Sequence, residues 1–329
     1  MALPSQEKIW LKNYPSGVRP EIDLTQYKSL MEVFDTAVRK FRSAPAFSNM
    51  GVAISFEELD RKVSQFASFL QNELNLKKGD RIAIQMPNLL QYPVAMFGAF
   101  RAGLIVVNTN PLYTSTEMRH QFKDSGAKAI VILANYGANL QEIIKDTDIQ
   151  SVVITEIGDL FPFPKSLLVN SVVKYLKKMV PAHNLPQAYS FKQALEMGSQ
   201  KPHKTVSLDT EDTAFLQYTG GTTGVSKGAV LTHRNMIANM LQILEWMKPL
   251  LEEGKEVIIT ALPLYHIFSL TVNCLTFMTY GGHNILITNP RDLTDFIKTL
   301  KKTPFTVMTG VNTLFNGLMN HQDFGQIDF

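Results

Sequence analysis

The sequence predicts an α/β fold: two packed lobes of mostly parallel sheet with helices on both faces. Three observations carry this. Short β-branched runs alternate with longer amphipathic segments along the chain. The strand-like runs are nearly continuous in apolar residues, as strands covered on both faces require. Of 329 residues, 45% are hydrophobic and 19% charged. That is enough apolar material for a large core and too little charge for a disordered chain.

Taken in order, "PAFSN" and "VAISF" flank Met50-Gly51 and predict a hairpin. Ser55 and Glu58 are spaced as a capping box for the helix that follows. "RIAIQM" reads as a strand, "LLQYPVAMFGAFRAG" as a helix and "IVVNTN" as the next strand. "TSTEMRHQFKDSG" is a helix with Thr114 and Glu117 as its capping box. "AKAIVILA", "GANLQEIIKD" and "SVVIT" repeat the alternation. Residues 181–212 are rich in proline and polar residues and read as a connector. Beyond it, "EVIITAL", a helix, "NILIT", "DLTDFIKTLKK", "FTVMTG" and "NTLFNGLMNH" continue the scheme. The chain stops at "GQIDF" with no further strand, which reads as a sheet stopped before its fold is finished.

The formal net charge is +3, too small to argue for nucleic acid as a partner. Cys274 is the one cysteine, so no internal disulfide forms and a reducing, cytoplasmic compartment is expected. The N-terminus has no apolar signal segment. Val257 to Tyr280 carries no formal charge unless His266 is protonated, and it is long enough to span a bilayer. Pro263, Asn273 and several threonines instead predict a buried strand, a turn and a buried helix.

"YTGGTTGVSKGAVLTH" (218–233) combines glycines, hydroxyl residues and a single lysine, Lys227. Glycines let backbone N–H groups turn toward an anion, hydroxyls add donors, and lysine adds a mobile charge. The pattern G-x-x-x-x-G-K-[ST] is not met, because Lys227 follows Ser226 and precedes Gly228. The dinucleotide pattern G-x-G-x-x-G is absent as well. "AFLQY" and "GAVLTH" predict strand–loop–strand, with the helix starting near Thr232. A plain flexible linker is the alternative, and such linkers seldom sit between apolar strands.

This stretch resembles the signature loop of the adenylate-forming superfamily, which includes acyl-CoA synthetases, luciferases and peptide-synthetase adenylation domains. "ISFEELDRKVSQFASFL", "KKGDRIAIQMPN", "GAFRAGLIVVNTNPLYTSTEMRHQFKDSGAKAIV", "ALPLYHIF" and "TGVNTLF" resemble further family segments in the same order. The resemblance covers residues 25–329. Through "NLLQYPVAMFG", "LPLYHIFSLTVN" and "ITNPRDL" it is nearest to the bacterial long-chain fatty acyl-CoA synthetases. It implies a nucleotide-binding domain with one lobe over 76–205. The second lobe would be 206–329, with 25–75 packed on it.

The resemblance implies this chemistry: a fatty carboxylate attacks the α-phosphate of ATP, pyrophosphate leaves, and CoA takes the acyl group as co-substrate. Thr219, Thr222, Thr223 and Lys227 would contact the phosphates, with Mg²⁺ reached by Thr222 through them. Gly220, Gly221 and Gly224 would allow close backbone approach; Tyr218, Val225, Ser226, Gly228 and Ala229 complete the nucleotide-binding stretch. His266 is either a carboxylate-orienting catalytic residue, as the resemblance implies, or a buried structural histidine. Gly310 and Val311 lie along the acyl pocket or form a simple strand-end turn. Tyr265 and Phe268 line that pocket or belong to the core. The family's later acidic Mg²⁺ ligand, its ribose-binding carboxylate and its C-terminal lid domain with a catalytic lysine have no counterpart here. The chain therefore reads as the N-terminal part of such an enzyme, with little turnover expected from these residues alone. A non-catalytic nucleotide- or lipid-binding module, or an enzyme adenylating another carboxylic acid, are the alternatives. Family members are often homodimers, but no residue here specifies an interface.

In "SLLVNSVVKYLKKMV" (166–180), Leu168, Val169, Val172, Val173, Leu176, Met179 and Val180 share one helical face. Lys174, Lys177 and Lys178 share the other. Such a helix docks on an anionic membrane surface or packs its apolar stripe onto the sheet.

Overall fold

A computed structural model describes residues 8–220 and 225–327. After α1 (Leu30–Phe41), strands β1 (Pro45–Asn49) and β2 (Val52–Ser55) form the expected hairpin. Met50 and Gly51 both have positive φ, 48° and 74°, the conformation a two-residue hairpin turn demands. Helix α2 (Phe56–Asn72) is capped by Ser55, whose side chain accepts from the Glu58 backbone N–H. Only this half of the expected box forms. The Glu58 carboxylate pairs with Lys62 at 3.3 Å instead of reaching back.

Strand β3 (Arg81–Gln85), helix α3 (Gln91–Arg101), β4 (Ile105–Asn108), α4 (Ser115–Ser125), β5 (Ala129–Leu133), α5 (Gly137–Ile143) and β6 (Ser151–Thr155) follow the predicted alternation. Thr114 and Glu117 form the complete reciprocal capping box of α4. Helix α3 is buried from Gln91 to Phe100, as its apolar residues on every face require.

The expected continuous helix over 166–180 is shorter. Helix α6 (Lys165–Ser171) passes into a π-helical stretch, Val172–Leu176, and ends there. Its body-facing side is fastened by polar bonds: Asn170 Oδ1 accepts from Gly158 N (2.7 Å) and Lys192 donates to Ser166 Oγ (2.7 Å). Val169 packs on the main core, but Leu168, Leu176 and Met179 stay exposed. The apolar stripe is thus not what packs the helix down.

The expected connector 181–212 contains β7 (Tyr189–Ser190) and α7 (Phe191–Ser199). A Ser190–Gln193 capping box starts α7, and Phe191 stacks on Phe66 of α2 with ring centroids 5.2 Å apart. Gly198 lies so close to α2 that a Cβ there would sit 1.8 Å from the Gln65 carbonyl oxygen. The surrounding prolines and polar residues hid this short apolar pattern.

Strand β8 (Thr213–Thr219), β9 (Lys227–Thr232) and α8 (His233–Met247) realise strand–loop–strand–helix, with Thr232 as N-cap. Strand β10 (Val257–Thr260) leads to a turn and a helical run: α9 (Ile267–Ser269), a π-helical stretch Leu270–Thr276 and α10 (Phe277–Thr279). Among the described residues no helix is long and apolar enough to cross a membrane. Strand β11 (His283–Leu286), α11 (Leu293–Lys302), β12 (Val307–Thr309) and α12 (Asn312–Met319) complete the order.

The strands form a seven-stranded sheet, β7-β6-β5-β3-β4-β8-β9, and a five-stranded sheet, β12-β10-β11-β1-β2. Each is parallel except for one antiparallel hairpin at an edge. The lobe boundary differs from the expected 205/206. Strands β8 and β9 belong to the first sheet, because β8 pairs with β4 in parallel register. Residues 45–55 join the second sheet through β1 and β11. One large core, from Leu30 and Phe97 to Leu264 and Leu286, runs between the sheets. Smaller cores lie beneath α4 and α5 and beneath α11 and α12.

Candidate functional site

The glycine–threonine stretch is a hairpin at the first sheet's edge. Thr219 pairs with Lys227, and Tyr218 with Gly228. Ser226 Oγ donates to Thr219 O (2.9 Å), closing the base of the loop. Helix α4 grips both arms. Tyr218 donates its hydroxyl to Asp124 Oδ2 (2.5 Å), and His120 Nε2 donates to Ser226 O (2.8 Å). His120 and Asp124 are one helical turn apart, so one face of α4 meets β8 and the residue just before β9. Burial, then the Asp124 carboxylate, raises the Tyr218 phenol pKa, so Tyr218 remains a neutral donor.

Gly228 has a packing reason to be glycine: a Cβ would stand 2.9 Å from the Tyr218 ring. Gly220 has open space around it. Lys227, Val225 and Ala229 are exposed, with Lys227 at the mouth of the hairpin. Gly221, Thr222, Thr223 and Gly224 lie outside the described residues. Among those described, no group of three His, Cys, Asp or Glu side chains is placed to hold a metal.

The second half of the site is the turn after β10. His266 is exposed, which removes the buried-histidine alternative. Its Nδ1 accepts the Phe268 backbone N–H (3.3 Å), so the neutral ring carries its proton on Nε2. That leaves an N–H donor suited to a carboxylate. Tyr265 is half-buried and packs against the main core, whereas Phe268 is exposed. Burial raises the Tyr265 phenol pKa, Tyr136 and Tyr113 add to the shift, and Arg291 opposes it. Gly310 ends β12 beneath the Phe315 ring, where a Cβ would sit 2.8 Å from it. Val311 is exposed at the N-cap of α12. Thr309 Oγ1 donates to Asn273 Oδ1 (3.0 Å), tying this strand end to the helical run after His266.

Sequence reasoning missed the residues that fix the 262–265 turn. They are buried polar side chains: Asn88 just beyond β3, Tyr92 in α3, Asn108 at the end of β4 and Gln217 in β8. Asn88 donates to Thr260 O (2.9 Å) and Leu262 O (3.0 Å), and its Oδ1 accepts from Leu264 N (2.8 Å). The Tyr92 hydroxyl lies 3.0 Å from Leu264 O and 2.8 Å from Asn108 Oδ1, and shares its proton between them. Gln217, on β8, donates to Tyr265 O (2.9 Å). The available signal was an amide or phenol inside apolar runs: "MPNLLQY", "IVVNTN", "AFLQY". A buried amide is retained where it has a specific partner. The carboxyl ends of parallel strands are where open α/β sheets bind ligands, and both half-sites gather there.

A family model described as AMP-binding enzyme matches residues 34–328. The long-chain-fatty-acid–CoA ligase of Escherichia coli O157:H7 is 54% identical over 98% of this chain and 58% of its own length. The ligase of the same name from Salmonella typhimurium is 53% identical with the same coverage. The anthranilate CoA ligase AuaEII, solved with anthranoyl-AMP, superposes with a TM-score of 0.78 at 16% identity. That match covers 93% of this chain and 55% of that one. The chain spans about 58% of the length of the curated relatives it matches.

Proposed function

The chain belongs to the AMP-binding enzyme family, and from that premise we propose that the full-length protein is a long-chain fatty acid–CoA ligase. The carboxylate attacks the α-phosphate of ATP and expels pyrophosphate. The CoA thiol then displaces AMP from the acyl-adenylate. Lys227 and the hairpin backbone neutralise the phosphates, and the His266 Nε2–H orients the carboxylate. The described residues offer no carboxylate or histidine cluster for Mg²⁺, so no step here is routed through the metal. The observation that carries this reading is the convergence of the two half-sites. The strand bearing the phosphate hairpin bonds directly to the turn bearing His266, through Gln217. The relatives' shared name supports a long acyl chain.

The test is pyrophosphate release from ATP with palmitate by the full-length protein. Release should fall about 100- to 1,000-fold in Lys227→Ala, the range for losing one preorganised transition-state contact. Activity on benzoate or a medium-chain acid but not palmitate would reassign the substrate. No release with any acid would favour a binding module.

A second reading concerns where the acid is collected. Phe163, Leu168, Tyr175 and Leu176 are 83%, 64%, 69% and 77% exposed. Between Phe161 and Val180 there are four lysines and no acidic residue. A patch of this composition suits the headgroup boundary of an anionic bilayer. A cytoplasmic protein would use it to meet the inner membrane face. Changing Lys174, Lys177 and Lys178 to Glu should abolish sedimentation with phosphatidylglycerol vesicles, and unaltered binding would sink the idea.

A further inference from the structure

Gln217 lies on β8 between the hairpin and the turn after β10. Two residues along β8 from Thr219, it carries the phosphate hairpin on its own backbone. Its side chain meanwhile reaches out of the strand to the acid-binding turn, where Nε2 donates to Tyr265 O at 2.9 Å. Its Oε1 accepts from Asn108 Nδ2 at 3.1 Å, and Asn108 Oδ1 accepts from Tyr92, whose hydroxyl also reaches Leu264 O. The amide orientations are forced in sequence. A carbonyl at Tyr265 demands the Gln217 NH₂, which turns Oε1 toward Asn108 and demands the Asn108 NH₂ there. That leaves Asn108 Oδ1 facing Tyr92, and burial keeps the Tyr92 phenol protonated to donate.

Gln217, Asn108 and Tyr92 are all buried, so none of these groups can exchange a lost partner for water. Gln217 and Asn108 are register partners in the sheet, so the chain of bonds sits on rigid strands at one end. At the other end it sits on a turn. The Tyr265 carbonyl, and the adjoining His266 with it, is therefore tied to the position of β8 by a bond whose buried Gln217 end has no water to replace it.

We propose that Gln217 is a positioning residue that couples the two half-sites, so that nucleotide in the hairpin and acid at the His266 turn bind cooperatively. This rests on the ligase reading above. Coupling between two sites is reciprocal: each ligand must tighten the other by the same factor.

The experiment is calorimetry on the full-length protein with palmitate and an α,β-methylene ATP analogue, alone and together. In the wild type each ligand should tighten the other at least about fivefold, the lower end of ordinary coupling. In Gln217→Leu the coupling factor, taken against that variant's own single-ligand affinities, should fall to within about twofold of one. Coupling that persists in Gln217→Leu, or is absent from the wild type, overturns the proposal. So does an equal collapse of both single affinities, which marks a merely structural residue. Should the variant not fold, hydrogen exchange on the wild type decides. The analogue alone should slow exchange of the Tyr265–Phe268 amides, and unchanged exchange there overturns the proposal. If the wild type binds neither ligand, the ligase reading itself fails; binding without coupling removes only the role of Gln217.

Discussion

Two antiparallel hairpins border the two parallel sheets, and the chain treats them oppositely. β1–β2 closes in the two residues Met50 and Gly51 and pairs inward with β11. β8–β9 leaves residues 220–226 between its paired ends and carries an exposed β9. The first hairpin spends its residues on packing: Phe47 and Ile54 lie in the main core. Among the described residues the second is fastened at its base, by Ser226 and by the His120 and Asp124 grip of α4. Topology alone does not make a site. The second hairpin is the candidate because its turn is longer than closure requires and α4 fixes its base.

Acid should give the largest effect, weighted toward the foot of the second hairpin. His233 stands at the foot of β9, and its Nδ1 accepts the Leu30 N–H at 3.2 Å. Burial lowers its pKa to about 4, with Asp212 opposing and Lys78 adding. The folded state therefore resists a proton that the unfolded chain takes up near its usual value. Stability is full above about pH 6.5 and is lost as pH falls toward 4, by up to about 3 kcal/mol. His283, bonded to Ser48 beside the first hairpin, is shifted in the same direction by burial. Urea denaturation between pH 4 and 7 should show the slope, and His233→Gln should remove the larger share. A slope unchanged in that variant would show that His233 is not its source.

Gly228→Ala is the next largest expected effect. The added Cβ meets the Tyr218 ring at 2.9 Å, so the buried ring must shift away from Asp124. Overpacking of this kind costs about 1–3 kcal/mol. Pyrophosphate release should fall with it, because the base of the hairpin moves. Gly51→Ala gives the smallest effect. Its site is open except for Lys165 Nζ at 3.6 Å, and the cost is the positive φ alone, about 1 kcal/mol. Thermal melts and activity assays on both variants test the contrast. Equal losses of activity would mean that the two hairpins matter alike to the site.

Much of the fold was legible because each element satisfies a local rule. Thr114 and Glu117 announce α4 by a bond three residues apart, and the apolar runs of β3 to β6 can only be strands buried on both faces. The boundary between lobes was not legible. That β8 pairs with β4 and not with β10 depends on contacts about a hundred residues apart, which no local pattern encodes. Helix α7 was hidden by its polar, proline-rich surroundings, and the uneven end of α6 by a wheel that assumes regular geometry.

By itself the sequence determined the chemistry offered at the site: a glycine–threonine hairpin with Lys227, and a histidine after a strand. Residue type and short-range spacing suffice for that. Only the tertiary structure decided that His266 is exposed with its Nδ1 taken by the Phe268 N–H, that α4 clamps the hairpin, and that Asn88, Tyr92, Asn108 and Gln217 lock the 262–265 turn. The reason is physical. A polar side chain has a defined role in the interior only once its partner is placed, and here those partners are backbone groups that lie far away in the chain.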